Sequence, residues 1–317
     1  MYAAINNMRA GLRVSPCLLF RCFPNINIGM TIISASRRTD IPAFYGDWFI
    51  DKINRGECHV VNPFNGKVDV VSLKPSDVDG FVFWSRNYAP MLKNLKRLHG
   101  MDYRFYCQLT INCYPRFIDP ASPSLEKSAR MAHALREAFG PRAVVWRYDP
   151  IMITSATPVD WHIENFSKIA SALKGFTDTC VISFIDWYKK LDRNLLPVLE
   201  KNGVSYGHPS MVQLQNIANV FTQIAAASGV KTEGCCEPDS NLPPTACIDP
   251  VRLADITGKD FSKIARVPSR KSCNCAASKD IGAYDSCIMG CACCYANRSR
   301  QYSLKRRNSI ASTDMAL

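Results

Sequence analysis

Apolar and polar positions alternate along this chain in two rhythms, and the rhythms take turns. Thr31–Ser36 is a short run without charges that reads as a buried strand. From Pro42 to about Asn54, Phe44, Trp48 and Ile53 fall on one side of a predicted helix. His59–Val61 and Val68–Val71 flank Asn62-Pro-Phe-Asn-Gly66 and predict a hairpin turning at Asn-Gly. Phe81–Trp84 is the next strand, followed by a helix over Ala89–Leu98 and a strand over Arg104–Ile111. Ser122 as N-cap and Pro123 at the first position open a further helix, which Gly140-Pro141 ends.

The alternation continues with a strand at Ala143–Tyr148. A helix starting at Thr157-Pro158 carries Ile163, Phe166, Ile169 and Leu173 on one face, and Gly175 closes it. Cys180–Ile185 is a strand. Met211, Leu214, Ile217, Phe221 and Ile224 mark a helix up to Gly229, and Val230–Gly234 is the last strand. Beyond it the periodicity dissolves into sequence rich in Pro, Gly and Cys. Six or seven strands separated by helices predict an α/β fold with a parallel sheet.

Polar residues recur where those strands end: Ser36-Arg37-Arg38-Thr39-Asp40, Ser85-Arg86-Asn87, Thr110-Ile-Asn112, Arg147-Tyr148-Asp149 and Asp186-Trp187. Such ends converge at the mouth of a TIM-like (β/α) barrel, closed or partly open, which is the expected architecture. A doubly wound sheet would also gather ligands at strand ends and is the alternative. The expected organisation is an N-terminal extension over 1–29, a barrel over 30–234, a Cys-rich metal-cluster region over 235–297 packed on the mouth, and a basic, disordered tail over 298–317. Residues 1–29 contain no Asp or Glu, and read as an over-extended start or an organellar presequence.

Composition narrows the function little. At 317 residues, 47% of them hydrophobic and 21% charged, the chain is an ordinary globular protein. It has no run of about eighteen apolar residues that would span a membrane. Of the net charge of +12, residues 1–29 carry +3 and residues 298–317 carry +4. The remaining excess is mild and does not argue for a duplex-binding face, so nucleic acid is not the favoured partner.

Cysteine changes the picture. Nine of the 15 cysteines fall at or after Cys235, and no histidine lies beyond His208. A disulfide framework suits small secreted domains, so a metal in a reducing cytosol is the economical reading. Cys287-Ile-Met-Gly-Cys291-Ala-Cys-Cys294 has the spacing C-x3-C-x2-C, too short for separate strands or helices to supply the three thiols. One loop must fold around a common centre, and soft thiolates suit an iron–sulfur cluster or zinc. Three protein thiolates leave one iron of a [4Fe-4S] cluster open.

Cys235, Cys247, Cys273 and Cys275 make a four-thiolate set, sufficient for a closed second [4Fe-4S] cluster or a zinc; the alternative is that some are merely buried thiols. Arg37, Arg147 and Asp149 are the candidate ligand contacts at the strand ends, because Arg forks grip carboxylates and phosphates. The bland reading of the same residues is an ion-pair network of Arg37 and Arg38 with Asp40, Asp149 and Asp186. Trp146 and Tyr148 would either stack on an adenine or close the barrel.

C-x3-C-x2-C resembles the cluster loop of radical S-adenosylmethionine enzymes. That resemblance implies a [4Fe-4S] cluster on Cys287, Cys291 and Cys294, S-adenosylmethionine bound through its amino and carboxylate groups, and a flavodoxin or ferredoxin as electron donor. Two features depart from that superfamily. The loop lies after the last strand instead of the first, and Cys293 stands where an aromatic residue usually precedes the third cysteine, as a substitute neighbour or a competing ligand.

From about Met30 to Asn297 the chain also resembles the family called domain of unknown function 1848. The match is carried by Ile33-Ser-Ala-Ser-Arg-Arg-Thr-Asp40-Ile-Pro42, Asn62-Pro-Phe64, Val82-Phe-Trp84, Trp146-Arg-Tyr-Asp-Pro150, Ile182-Ser-Phe184, Asp280-Ile-Gly-Ala-Tyr284 and the final triplet. Ser85-Arg86-Asn87-Tyr88 replaces the family's Thr-Lys-Asn-Pro and keeps the positive charge. The rival class is a zinc-stabilised, non-catalytic binding protein that uses its basic tail on nucleic acid.

Overall fold

The computed structural model describes residues 30–317; the expectation for residues 1–29 lies outside them. In chain order the elements are β1 (Ile32–Ala35), α1 (Ile41–Phe44), α2 (Gly46–Arg55), β2 (Glu57–Val61), β3 (Val68–Ser72), β4 (Gly80–Ser85), α3 (Leu92–Gly100) and β5 (Phe105–Thr110). Then come α4 (Leu125–Phe139), β6 (Val144–Ile151), α5 (Val159–Ala172), β7 (Thr179–Phe184), α6 (Lys189–Asn194), α7 (Leu196–Lys201), α8 (Met211–Ala227) and β8 (Lys231–Gly234). Last are α9 (Pro250–Thr257), β9 (Lys279–Asp280) and α10 (Arg300–Ser309).

Seven strands form one sheet in the order β8-β7-β6-β5-β4-β1-β9, and every neighbouring pair is parallel. β2 and β3 form the expected antiparallel hairpin, from Glu57 opposite Ser72 to Val61 opposite Val68. Apart from β9, strands that follow one another along the chain lie side by side, so the sheet is wound in one direction and is not doubly wound. Among the described residues no ladder joins β8 to β9, so a closed cylinder is not formed.

The two faces of the sheet are covered differently. Phe81, Phe83, Phe105, Leu109, Trp146 and Ile182 pack with Phe49 of α2, Leu95 of α3, Leu135 of α4, Phe166 of α5 and Phe221 of α8 in the main core. Alternate residues of the same strands, Ile32, Val82, Tyr106, Val145 and Val181, face the other way, as the two-residue period of a strand requires. They pack with Cys235, Cys247, Ile248, Leu253, Phe261, Ile264 and Cys275. Helices thus cover the outer face, and the segment after β8 covers the inner one. The Cys-rich region was expected on the mouth; its first part lies against the inner face instead, because that face is apolar and α2–α5 and α8 are all on the outside.

The elements differ from the sequence reading in several places, and the helix expected from Pro42 to about Asn54 is two, α1 and α2. α4 is capped by Ser124, whose side chain accepts from the Lys127 amide, and not by Ser122 with Pro123 following. α6, α7, α9 and β9 were not predicted: they are short, and β9 pairs through only two residues. The tail after Asn297 is a helix, α10, capped by Ser299. It is ordered because α1, α2 and β2 accept it. Arg307 Nη2 donates to Phe44 O at 3.1 Å, Trp48 Nε1 to Asp314 O at 2.8 Å, and the His59 amide to Met315 O at 2.8 Å.

Candidate metal centre and strand-end site

The triplet loop is built onto the C-terminal edge of the sheet by polar and apolar contacts together. Gly290, between Cys287 and Cys291, has φ +82°, a left-handed turn that a side chain would strain. The Ala292 amide donates to Ile118 O at 2.9 Å, Tyr45 Oη to Ser286 O at 2.7 Å, and Tyr188 Oη to Cys293 O at 2.8 Å. Lys190 Nζ donates to Tyr295 O at 2.6 Å, and Asn297 Nδ2 back to Cys287 O at 2.6 Å. Ala292 and Cys293 pack against Tyr114, Ile118, Met152 and Leu191. These partners follow β5, β6 and β7, so the loop sits where those strands end.

Cys287, Cys291 and Cys294 face one another electrostatically: Cys287 and Cys291 both feel Cys294. Backbone amides of Met289 and Asp40 point at the Cys287 sulfur, and those of Ala296 and Asn297 at the Cys294 sulfur. Burial pushes all three thiols up, so they stay protonated until a cation compensates. Amides aimed at two sulfurs, with Arg86 and Lys190 beside them, are the environment in which an anionic metal thiolate is stabilised. In donor type and charge the loop therefore fits a metal cluster. Cys293 is buried against the apolar cluster and reads as packing; desolvation pushes its thiol up as well.

The strand-end residues gather beside this loop. Asp280, on β9, is the hub. Its carboxylate accepts from Ser34 Oγ (2.8 Å), Ser36 Oγ (2.6 Å), the Arg37 amide (2.9 Å), Arg38 Nε (2.9 Å) and the Gly282 amide (3.0 Å). Burial works to raise its pKa, but Arg38, Arg37 and these donors outweigh it and hold the group below the ordinary carboxylate range. The ion-pair expectation is corrected accordingly. Arg38 pairs with Asp280, whereas Asp40 caps α1, Asp149 pairs with Arg147, and Asp186 with Arg270. Asp40 is pushed up to about 6 by burial, in spite of Ser85 and the Ala43 and Arg86 amides.

Arg37 backs onto this hub through its amide, and Asp280 is also the leading charge partner of its guanidinium. The guanidinium stands over the Trp84 ring at 5.8 Å, its Nε is buried without a hydrogen-bond partner, and its charge is felt by Cys275 and Cys247 on one side and by Tyr295 on the other. Arg147, from β6, is held by Asp149 and reaches Gln108 Oε1 at 3.3 Å and Cys247 Sγ at 3.1 Å. Asp149 also accepts from Ser183 Oγ at 2.6 Å. Trp146 and Tyr148 point to the outer face, where Trp146 stacks on Phe166 at 4.6 Å. They are core, so neither is placed to stack on a ligand; the half-buried aromatic on the inner side is Trp84.

Cys235, Cys247, Cys273 and Cys275 also come together, on the inner face. Cys235 Sγ and Cys247 Sγ are 3.3 Å apart, and Tyr106 Oη and Gln108 Nε2 both donate to Cys247 O, at 2.6 and 2.9 Å. As the side chains stand, no group of three or more His, Cys, Asp or Glu among the described residues has coordinating geometry ready-made.

Of three further members of this neighbourhood, the strand-end pattern marks Arg86 and leaves Asp119 and Glu237 unmarked. Arg86 Nη1 binds the buried Asp119 at 2.7 Å and faces Cys291 and Cys293. Asp119 keeps Oδ1 buried and unpartnered. Glu237 accepts from the Phe184 amide at 2.9 Å and is pushed up to about 8 by burial, with Asp186 adding to the effect. Asp119 and Glu237 lie in loops, where no periodicity marks them.

No curated protein matches the chain. The model of the family described as domain of unknown function (DUF1848) matches residues 32–296, from the first residue of β1 to just beyond Cys294. Since that span takes in the sheet, the inner-face segment and the triplet loop alike, the chain belongs to the DUF1848 family.

Proposed function

We infer that the protein is an iron–sulfur enzyme of radical S-adenosylmethionine type, working on a partly open (β/α) barrel. Cys287, Cys291 and Cys294 are the cluster ligands. When bound, the cluster supplies an open iron and a low-potential electron to S-adenosylmethionine, which a flavodoxin- or ferredoxin-type donor in a reducing cytoplasm would replenish. The observation that carries the reading is the triplet loop itself. Its three half-buried cysteines lie on the C-terminal edge of the sheet, two of their sulfurs receive backbone amides, and the Arg86 guanidinium lies beside Cys291 and Cys294.

Arg37 is the residue we assign to an anionic group of the bound cofactor or substrate. Its Nε has no protein partner, and a guanidinium left so is satisfied by a carboxylate or phosphate. Arg147 and Asp149 already hold each other; they position the wall next to Cys247 and reach a ligand only by sharing that pair. The substrate class supported by these charges is anionic.

The rival reading, a zinc-stabilised protein that binds nucleic acid through its tail, loses ground at α10. Arg306 and Arg307 donate to Leu317 O and Phe44 O, and Arg298 pairs with Asp285, so much of that basic charge is spent inside the fold.

Anaerobic purification with iron and acid-labile sulfide assay tests the reading. The expected result is about four iron and four sulfide per chain for this loop, lost on Cys291→Ser with the sheet still folded. Reduction in the presence of S-adenosylmethionine should then release 5′-deoxyadenosine. A triplet loop loaded only with zinc would sink the enzyme reading.

A further inference from the structure

The cysteines that the triplet loop leaves aside close a circuit of sulfurs on the inner face of the sheet. Cys235 Sγ touches Cys247 Sγ at 3.3 Å. Cys247 interacts in turn with Cys275, Cys275 with Cys273, Cys273 with Cys236, and Cys236 with Cys235. Three separate pieces of chain supply them: the end of β8, the approach to α9, and the loop before β9. Apolar packing gives no reason for five thiols at one point, since alanine or valine would fill the same space.

The charges around the circuit are the second observation. Arg147 Nη1 donates to Cys247 Sγ at 3.1 Å, and Arg270 Nη2 lies 3.7 Å from Cys235 Sγ. Arg37 adds a third guanidinium that both Cys275 and Cys247 feel, with its Nε buried and unpartnered. Asp149 answers Arg147, Asp186 answers Arg270, and Asp280 faces Arg37 while also bonding Arg38 and the β1 hydroxyls. Asp280 serves Arg37 and Arg38 together, so with neutral thiols the guanidinium groups outnumber the carboxylates by one. Four thiolates around one divalent ion carry a net charge of about −2, which would answer that excess.

The spacing decides between metals. Zinc–sulfur bonds of about 2.3 Å set tetrahedral thiolates roughly 3.8 Å apart, so the Cys235–Cys247 pair, at 3.3 Å, needs to widen by only about half an ångström. A four-iron cube holds its thiolates much farther apart, because irons and sulfides stand between them. Cys236 drops out as a ligand: it is half-buried with φ +60°, and it adjoins Cys235 in the chain, so both cannot easily reach one tetrahedral ion.

We propose that Cys235, Cys247, Cys273 and Cys275 hold a single zinc ion in a closed, structural site that clamps the segment after β8 onto the inner face of the sheet. Each ligand gives up its thiol proton to solvent as the ion enters, and no redox change is involved. The site is separate from the triplet loop and does not depend on what that loop binds.

The test uses the full chain with Cys287→Ser, Cys291→Ser and Cys294→Ser together, which removes any metal of the loop. Elemental analysis of the anaerobically purified protein should find one zinc per chain. Zinc-edge X-ray absorption should show four sulfur neighbours at about 2.3 Å. Adding Cys247→Ser and Cys275→Ser should abolish zinc retention. If that variant does not fold, cobalt(II) exchanged into the triple variant should give intense thiolate-to-metal charge-transfer bands. Iron with acid-labile sulfide in place of zinc, no metal at all, or zinc with nitrogen or oxygen neighbours would each overturn the proposal. None of these outcomes bears on what the triplet loop binds, because its three thiols are absent from the protein tested.

Discussion

His162, on α5, is buried and bonded on both sides of its ring. Nε2 lies 2.9 Å from Met152 O and must donate to it, so Nδ1, 2.8 Å from Tyr148 Oη, accepts. Burial pulls its pKa down to about 4, with the bond to Met152 O only partly opposing. A histidine depressed in the fold is neutral there and protonates more readily in the unfolded chain. Its stabilisation is complete above the unfolded value of about 6.5 and is lost as pH falls towards 4. The loss should approach roughly 3 kcal/mol. Urea midpoints at pH 7.0 and 4.5 should show it in the parent and not in His162→Gln, which is expected to be less stable at pH 7 but flatter with pH. An equal drop in both proteins would assign the acid sensitivity to other groups. Residues of this kind were not legible in the sequence. Arg37 and Arg147 stood out because they follow apolar runs, whereas His162 is one more polar letter on an amphipathic helix. The alternation of strand positions does separate Trp146 and Tyr148 from Arg147, and it is Arg147 that reaches the inner face, at Cys247 Sγ.

At the scale of elements, β9 shows how a strand of two residues can matter more than its length suggests. It pairs with β1 at Ile33 and Ser34 and brings Asp280 under the chain that leaves β1. Gly282, two residues on, is pressed against that turn: a Cβ built there would stand 2.0 Å from Ser36 Oγ and 2.5 Å from Ser36 Cβ. Gly282→Ala must drive Ser36 off Asp280, at a cost of about 2–4 kcal/mol from overpacking and a lost buried hydrogen bond. Chemical denaturation should report it as a lower midpoint with an unchanged slope. A midpoint equal to the parent's would mean that the Gly282 turn is not packed on β1. Longer elements such as α8 and β5 were legible because burial of one face spaces the apolar residues of α8, while burial of both faces makes β5 a short, mostly apolar run. β9 and α9 were not. A strand that pairs through two residues has no period to read, and α9 covers the inner face with only Pro250, Arg252 and Leu253 buried.

For the whole molecule, the least legible feature is the one with the widest reach. The sequence after Asn297 is polar on all sides and predicts a solvated tail, yet α10 and the residues after it are part of the fold. Trp48, almost wholly buried, donates to Asp314 O at 2.8 Å, and Lys52 Nζ, which has no exposed surface, donates to Thr313 O at 3.0 Å. Leu317 enters the main core, and Arg307 lies over the Tyr45 ring at 4.8 Å. None of this follows from the tail's own composition, because the surface that orders it belongs to α1, α2 and β2, some 250 residues earlier in the chain. Removing residues 300–317 would leave the Trp48 indole N–H without an acceptor and Lys52 with only Asp51 as partner. Truncation removes both hydrogen bonds and uncovers apolar surface that Trp48 and Leu317 bury, so the truncated chain should lose roughly 3–5 kcal/mol. Tryptophan emission should shift to the red as Trp48 becomes wet, and the triplet loop loses a packing partner as well, because Arg300 of α10 stands against Gly290. A truncated protein with the parent's stability and emission would return the tail to the solvated state that its composition suggests.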